Sequence, residues 1–344
     1  MRIVHICPNY LDPDVAVGGA ERYAYALAKA MSAKVPVTLV TFGNKSFMRR
    51  EKMFTFKCFK ALGYVNNNTL NPLSLRHLLE LKGADIIHCY QFGTVIVDAV
   101  FLGALLSRKK VFVTDLGGTT DFSFSYHLPL WKAIQSFLLV SRHNGKPYLK
   151  FPIPQTIIYG GVDAEKFIPG TQPKLGRFLT VGRFFEAKGI EFLIEALDPD
   201  MSLDVVGQVV DERYFEKLKT VSFGKQVRFL TQVSDKELIT LYQQALATIV
   251  PAIIDGGYTT VLESMACATP ALVSQVGSLP ELIEDNVTGL FAPPADPQAL
   301  KQKLRYLMQN PEMARRMGQE GRRRAVEQFD WQAVVDQFLK AYGI

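Results

Sequence analysis

The sequence predicts an α/β protein with two doubly wound parallel sheets, one in each half of the chain. Short apolar segments alternate with helical patterns throughout the 344 residues, which is the pattern of parallel sheets covered by helices. This length is enough for two domains of about 150–200 residues, each with its own core. The segments RIVHICPNY…GGAERYAYALAKAM and RFLTVGRFFEAKGIEFLIEAL share the order strand, glycine-bearing loop, helix. We therefore expect two Rossmann-like domains that face each other across a cleft, with ligands bound at the carboxyl ends of the strands.

The first half has six apolar segments with the length of buried strands. The predicted strands are Ile3–Cys7, Val37–Phe42, Asp85–Cys89, Val111–Thr114, Phe137–Val140 and Thr156–Tyr159. Apolar residues at helical spacing predict helices at Ala20–Ser32 and Ser74–Lys82.

The second half repeats this alternation. Its predicted strands are Arg177–Val181, Leu203–Val206, Val227–Leu230, Ala247–Val250 and Ala271–Ser274, and its predicted helices are Gly189–Leu197, Asp235–Ala245, Pro297–Gln309 and Glu312–Gln328. The segment Val162–Leu175 carries Pro169, Gly170 and Pro173 and is the best linker. The predicted domains are therefore residues 1–170 and 171–344, with the last helix a candidate for packing back on the first domain.

Composition excludes several classes of protein. The apolar stretches are too short or too interrupted to span a bilayer, which needs about 20 residues, and the chain opens on a strand where a signal peptide would need a longer apolar run. The four cysteines lie far apart with no Cys-x-x-Cys pair, so we expect neither a disulfide framework nor a metal site, and a cytoplasmic location. Residues 1–170 carry 20 Lys and Arg against 11 Asp and Glu. That excess predicts an anionic partner for the first half.

The segment 255–289 is the most informative part of the chain. It begins with Asp255, turns through Gly256-Gly257, and opens a helix that carries Glu263. A glycine turn that leads into a helix N-terminus is a favourable seat for phosphate, and a nearby carboxylate suits hydroxyl groups. The combination predicts a nucleotide joined to a sugar. The alternative is that Thr260-x-x-Glu263 is a capping box, in which Glu263 only satisfies backbone donors of its own helix.

Six short motifs occur in order along the chain: Gly18-Gly19-Ala20-Glu21; Asp85-Ile86-Ile87-His88; Tyr159-Gly160-Gly161-Val162-Asp163 with Phe167 and Pro169; Val181-Gly182-Arg183 with Lys188-Gly189; Asp255 to Glu263; and Ala266-x-x-x-Pro270 with Gly289-Leu290. Together they resemble the retaining enzymes of glycosyltransferase family 4, which have the GT-B fold. The resemblance covers essentially the whole chain.

The resemblance implies a nucleoside-diphosphate sugar as donor substrate, with no cofactor and no metal. It implies that Arg183 and Lys188 neutralise the leaving diphosphate, as such charges require, and that Glu263 holds the ribose and Asp255 the transferred sugar. The implied donor-binding residues are Gly18, Gly19, Arg183, Lys188, Asp255, Gly257, Tyr258, Thr259, Thr260, Val261 and Glu263. The implied catalytic residues are Arg183, Lys188, Asp255 and His88, and the acceptor-side residues are His88, Tyr90, Gly117 and Gly118.

Simpler interpretations of the same residues stay open. Arg183 and Lys188 also fit an ordinary solvated pair, Gly18-Gly19 a plain turn, and His88 a packed or capping histidine at a strand end. The chain also departs from the family pattern. Asp255 stands where the family has Glu, and Tyr90 stands where a histidine is common. No residue stands out as a general base, which agrees with the front-face attack proposed for such enzymes.

Residues 45–60 form a basic aromatic stretch, with six Lys and Arg against Glu51 and with four phenylalanines between them. Basic groups with large apolar side chains suit an anionic membrane surface. The alternative is a solvated face around a β-strand whose phenylalanines lie in the core. Nucleic acid is not an expected partner, since no recognised binding module occurs.

The sequence thus predicts a retaining glycosyltransferase of hexosyltransferase type that transfers a sugar from a nucleoside-diphosphate donor to a glycan or lipid-linked acceptor. A peripheral position at the inner face of the cell membrane is a candidate localisation. The alternative function is a non-catalytic, nucleotide-sugar-binding partner subunit of a glycosyltransferase complex.

Overall fold

The computed structural model describes residues 1–8, 19–116, 122–171, 174–254 and 256–344. The chain divides into two compact units, Met1–Gly160 with Trp331–Ile344, and Gly161–Asp330. This division lies ten residues before the predicted boundary at 170. The reason is that residues 161–170 are hydrogen-bonded to other residues of the second unit. The Val162 N–H donates to the carbonyl of Phe329, and the Arg322 guanidinium donates to the backbone carbonyls of Ala164 and Phe167.

The first unit contains ten strands and three α-helices, besides short 3₁₀ helices, in the described part of residues 1–160. The strands are β1 (Ile3–Ile6), β2 (Val37–Gly43), β3 (Phe47–Glu51), β4 (Phe54–Lys60), β5 (Gly63–Tyr64), β6 (Pro72–Leu73), β7 (Ile86–Tyr90), β8 (Lys110–Thr114), β9 (Ile134–Leu139) and β10 (Gln155–Ile157); the helices are α1 (Gly19–Met31), α2 (Val95–Ser107) and α3 (Arg142–Gly145).

The second unit alternates strands and helices. Its strands are β11 (Arg177–Val181), β12 (Ser202–Val206), β13 (Gln226–Leu230), β14 (Ala247–Val250), β15 (Ala271–Ser274) and β16 (Gly289–Ala292); its helices are α4 (Ile190–Ala196), α5 (Glu212–Val221), α6 (Asp235–Gln244), α7 (Tyr258–Ala266), α8 (Leu279–Leu282), α9 (Pro297–Gln309) and α10 (Pro311–Arg324). A π-helical turn, Ala325–Phe329, continues α10, and helix α11 (Trp331–Tyr342) then belongs to the first unit.

Each unit is organised around one large sheet. The first sheet has the order β10-β9-β8-β7-β1-β2-β4-β3, and only β3 runs antiparallel to its neighbour. The second has the order β13-β12-β11-β14-β15-β16 and is parallel throughout. In both sheets the order reverses beside the first strand, between β1 and β7 and between β11 and β14. Such a topological switch point opens a crevice at the carboxyl ends of the strands, where doubly wound sheets bind ligands.

Helix α11 contributes to the core of the first unit, where Val334, Val335, Phe338 and Tyr342 are buried with residues of α1 and the sheet. Its amphipathic pattern places those side chains on one stripe. The predicted fold class, two Rossmann-like parallel-sheet units, is confirmed.

Several elements differ from the prediction. The region predicted as the helix Ser74–Lys82 is a 3₁₀ helix at Arg76–Gly83. Helix α2 was not predicted, because it is apolar on nearly every side and so has no helical period. Among the described residues, no helix combines the length and apolar character that a bilayer span requires.

Candidate active site

Two loops of the second unit meet at the switch point of its sheet. One loop follows β11 and contains residues 182–189; the other follows β14 and leads to α7. The Ile253 N–H donates to the Ala187 carbonyl at 3.0 Å and joins them. Gly189, with a φ of +62°, lets them approach, since a Cβ there would lie 2.2 Å from the carbonyl oxygen of Pro251.

Lys188 brings a positive charge to the start of α7. A Cβ built on Gly256 would lie 2.5 Å from the Nζ atom of Lys188, so the ammonium group occupies the space above that glycine. Gly256 has a φ of +152°, which L-residues rarely adopt. The glycine is therefore required twice, for its backbone conformation and for the space that the lysine fills.

Arg183 and Lys188 flank one aromatic ring. The guanidinium carbon of Arg183 lies 5.4 Å from the centre of the Phe185 ring, and Nζ of Lys188 lies 5.5 Å from it. Arg183 is exposed and Lys188 half-buried. A cation near an aromatic face is held by the ring quadrupole, so Phe185 helps to keep both cations near the same ring.

Helix α7 adds its N-terminus to this cationic site. Its N-cap is Gly257, in the left-handed conformation with a φ of +85° and without a side-chain cap. The helix begins at Tyr258, so the first-turn N–H groups of the predicted donor-binding residues Tyr258, Thr259 and Thr260 lie where a helix presents its orphan donors. Backbone N–H groups at a helix N-terminus and cationic side chains are the groups that bind phosphate oxygens in proteins.

The capping-box alternative for Glu263 is wrong. Thr260 lies within α7 instead of at its N-cap, and its hydroxyl donates to the Val181 carbonyl at 3.2 Å. The Glu263 carboxylate instead accepts a hydrogen bond from the hydroxyl of Tyr242, with 2.8 Å between Oη and Oε2. Glu263 is half-buried, one turn and a half into the helix.

In the first unit, α1 begins at Gly19, the first described residue after Pro8, and it follows β1, which is one of the two strands at the switch point of that sheet. A Cβ at Gly19 would meet no described atom within 4 Å. Gly18, Asp255, Gly117 and Gly118 lie outside the described residues, so their predicted roles stay predictions.

His88 and Tyr90 do not lie on a binding surface. Both are in β7 and buried, because a central parallel strand is covered on both faces. The His88 ring stacks on His5 with 4.9 Å between ring centres, and its Nδ1 lies 2.5 Å from the hydroxyl of Tyr342. Burial, and then the neighbouring His5, hold the pKa of His88 well below its usual value. This corrects the acceptor-side and catalytic assignment of His88, and the acceptor-side assignment of Tyr90, in favour of packed core residues.

Residues 45–60 form the β-hairpin of β3 and β4 at the edge of the first sheet. Phe54 and Phe56 are buried in the core, while Phe47 and Phe59 are half-buried. Lys57 pairs with Glu80 at 2.7 Å. This arrangement fits the second interpretation of residues 45–60, a solvated β-strand face whose phenylalanines lie in the core.

An exposed aromatic loop, residues 122–128, was not singled out by the sequence. The buried carboxylate of Asp98 in α2 anchors it, accepting hydrogen bonds from the Ser123 hydroxyl and from backbone N–H groups of Phe124 and Ser125. Phe122, Phe124, Tyr126 and Leu128 remain exposed by 39 to 51%. The signal for this loop was the alternation of aromatic residues and serine.

Comparison with known proteins gives the family. A sequence model for Glycosyl transferases group 1 matches residues 162–324, and one for Glycosyltransferase Family 4 matches residues 17–166. An uncharacterised glycosyltransferase of Methanocaldococcus jannaschii is 28% identical over 331 residues, covering 88% of this chain and 93% of that protein. An MMP α-(1→4)-mannosyltransferase of Mycolicibacterium hassiacum is 31% identical over 190 residues, covering 53% of this chain and 46% of the relative.

Solved structures share the fold. HepE of Anabaena, crystallised with UDP, has a TM-score of 0.79 and 16% identity, with both chains covered completely. The two units with their parallel sheets and these matches lead to one conclusion: residues 17–166 and 162–324 belong to two glycosyltransferase families, Glycosyltransferase Family 4 and Glycosyl transferases group 1, and the chain has the GT-B fold.

Proposed function

We propose that this protein is a retaining glycosyltransferase that transfers a sugar from a nucleoside-diphosphate donor to a glycan or lipid-linked acceptor. The observation that carries the proposal is the position of the Lys188 ammonium group over Gly256, at the start of α7 and at the switch point of the sheet. The HepE structures with UDP and UDP-glucose support a donor of this class.

In the proposed reaction, the bond between the anomeric carbon and the diphosphate oxygen breaks, and a bond to the acceptor oxygen forms on the same face of the sugar. The acceptor proton passes to the leaving phosphate oxygen. Lys188 and Arg183 stabilise the negative charge that grows on the diphosphate, and the first-turn N–H groups of α7 add to this stabilisation. Glu263 binds the ribose hydroxyls, and Asp255 the transferred sugar. The proposal assigns no role to a metal ion.

A thermal-shift panel of UDP, GDP and ADP tests donor binding. A ligand that binds the folded protein at one hundred times its Kd stabilises it by about 2.7 kcal/mol, and we expect one of the three to raise the melting temperature. Donor sugars of that nucleotide, offered with a panel of glycan and lipid-linked acceptors, then test transfer. The anomeric configuration of the product, read by NMR, tests retention; an inverted product overturns that part of the proposal.

The same experiment separates the alternative function. Asp255 and Tyr90 depart from the family pattern, and they motivate a nucleotide-sugar-binding subunit without its own turnover. Tight nucleotide binding with neither donor hydrolysis nor transfer would support the subunit. Turnover by the isolated chain would exclude it.

We further propose that the first unit contacts an anionic membrane surface. The contact is made by α2 and the aromatic loop, residues 122–128, and not by residues 45–60, which the sequence suggested. Leu102, Leu105 and Leu106 at the end of α2 are exposed, by 81% for Leu106. Helix α2 packs against the 3₁₀ turns at Phe124–Tyr126 and Pro129–Ala133, so these leucines and the exposed loop residues share one side of the sheet.

Charge supports this choice of partner. From residue 99 to 160, the described part of the chain has one acidic residue, Asp115, and it is buried. Seven Lys and Arg occur in the same range, six of them exposed; among them, Lys150 lies with Nζ 5.6 Å from the centre of the Tyr126 ring. Basic groups beside exposed apolar side chains favour an anionic lipid surface, at about 1 kcal/mol for each such charge. This surface and a cytoplasmic location would bring the enzyme to a lipid-linked acceptor.

A further inference from the structure

The carboxylate of Glu263 has a buried tyrosine as its partner. Tyr242, near the end of α6, is fully buried, and its hydroxyl donates to Oε2 of Glu263 at 2.8 Å. Residues 242 and 263 lie in different helices, so the contact depends on how α6 and α7 pack. Tyr242 was not part of the site that the sequence predicts.

Contacts fix both the backbone and the ring of Tyr242. The Thr269 hydroxyl donates to the Tyr242 backbone carbonyl at 2.6 Å, and the Lys174 ammonium group donates to that same hydroxyl oxygen at 2.7 Å. The Phe167 ring meets the tyrosine ring edge to face, with 6.1 Å between ring centres. A side chain fixed at backbone and ring presents its hydroxyl in one direction only, so the donor to Glu263 is preorganised.

The phenol group is a donor at every working pH. Burial raises the pKa of Tyr242 well above its ordinary value, and the neighbouring Glu263 charge raises it further. The hydroxyl has a single proton, which it donates to the carboxylate. Because a carboxylate oxygen accepts in the plane of its group, this bond fixes the plane in which Glu263 offers its oxygens.

We propose that Tyr242 is a positioning residue that orients Glu263 toward the ribose hydroxyls of the nucleotide donor. The proposal rests on the ribose role of Glu263 in the proposed function and adds the residue that makes this role geometrically specific. Tyr242 acts through Glu263, since its own side chain is buried beneath the helix. Its loss should therefore affect nucleotides that carry a ribose diol and spare those that do not.

Calorimetric titration of Tyr242→Phe tests this proposal. The variant removes the hydroxyl and keeps the ring. The probes are UDP and 2′,3′-dideoxy-UDP, with the GDP and ADP pairs run in parallel. We expect the Kd of the nucleotide with a diol to rise about fivefold to tenfold, as for loss of a hydrogen bond that orients a charged group. The Kd of the dideoxy nucleotide should stay within a factor of two.

Tyr342→Phe is the matched control, because Tyr342 is a buried tyrosine of the first unit that is hydrogen-bonded to His88. It should lower the melting temperature without altering either Kd. If Tyr242→Phe raised the Kd of both nucleotides equally, or did not raise the Kd of the diol nucleotide, the positioning role would be overturned. The proposed function would still stand in that case, provided that the wild-type protein binds the nucleotide. If the wild-type protein bound none of the diphosphates, the proposed function itself would fail, and the role of Tyr242 with it.

Discussion

Lys188 fills the space that a side chain at Gly256 would need, and the two residues belong to different loops at the switch point of the second sheet. Gly256→Ala should displace the ammonium group and strain a backbone with a φ of +152°. We expect nucleoside-diphosphate affinity to fall about tenfold and stability to fall by about 1–3 kcal/mol. Gly224→Ala is the control: Gly224 also has a positive φ, but its Cβ would meet nothing within 4 Å. The control should cost stability alone, and an equal loss of affinity in both variants would contradict the prediction.

Lys188→Ala should reduce kcat by about 100-fold to 1000-fold, the usual effect of removing one preorganised group that stabilises charge in the transition state. Steady-state kinetics with the donor identified by the thermal-shift panel measures this. Lys219 offers a matched lysine, because its Nζ also lies over a phenylalanine ring, 4.4 Å from the centre of Phe215, but its side chain is exposed on helix α5. Lys219→Ala should leave kcat unchanged. Wild-type kinetics in Lys188→Ala would remove Lys188 from the reaction.

Glu263→Gln keeps the size of the side chain and its ability to accept the hydrogen bond from Tyr242, but it removes the charge. We expect weaker nucleotide binding by about 10-fold, because hydrogen bonds to a charged acceptor are roughly twice as strong as neutral ones. Glu263→Ala should lose most activity. The test is to measure the turnover and the nucleotide Kd of both variants. Full turnover in the Gln variant would exclude the ribose role of Glu263.

The buried histidines of the first unit predict acid sensitivity. Burial lowers the pKa of His5 to about 3 and that of His77 to about 4, and it holds the pKa of His88 well below its normal value. All three are neutral in the folded state near neutral pH, whereas the unfolded chain binds protons below about pH 6.5. Their contribution to stability is therefore complete above pH 6.5 and is lost as the pH falls toward 3, at up to about 1.4 kcal/mol per pH unit for each histidine.

Tryptophan fluorescence during urea unfolding measures this effect, because both tryptophans, Trp131 and Trp331, belong to the first unit. His5→Gln should make the stability of that unit less dependent on pH between 6.5 and 4. His127, which is exposed, supplies the control variant His127→Gln, whose pH slope should match that of the wild type. An unchanged slope in His5→Gln would refute the assignment.

The proposed membrane surface predicts binding to vesicles that contain phosphatidylglycerol and none to pure phosphatidylcholine. Binding should weaken as salt rises, since screening shortens the reach of the basic residues. Leu102→Ser with Leu106→Ser should reduce co-sedimentation at least about tenfold, because each exposed leucine loses apolar contact with the lipid. The double variant Arg49→Ala/Arg50→Ala tests the hairpin that the sequence suggested, and it should have the smaller effect. The opposite order would return the membrane contact to residues 45–60.

The second unit was the more predictable part of the fold. Strands such as β14 and β15 are short, buried at every position and mostly apolar, so their positions followed from the apolar runs alone. The position of the loop with Arg183 and Lys188 followed from the motif order. Tyr242 could not be predicted, because its contact with Glu263 spans two helices and depends on tertiary packing.

His88 is a residue whose position the sequence did not predict correctly. The sequence places His88 near a strand end, as the last residue of a family motif, but a central parallel strand is buried on both faces. Only the register of β7 with β1, which pairs His88 with His5, shows that it lies in the interior. Residues 45–60 are a second example. Their basic and aromatic side chains suggested a membrane-binding surface, but the segment is a hairpin whose phenylalanines partly fill the core.

The return of α11 to the first unit has a consequence for synthesis on the ribosome. The second unit is one continuous segment, Gly161–Asp330, and all its strands can pair before translation ends. The first unit begins earlier but must wait for its last helix: the His88–Tyr342 contact joins residues 254 positions apart, and the Lys34–Asp336 pair joins residues 302 apart. Until then the apolar face under α11 has no cover. The unit that is made first is therefore completed last, and a fragment that ends at Gly160 lacks part of its own core.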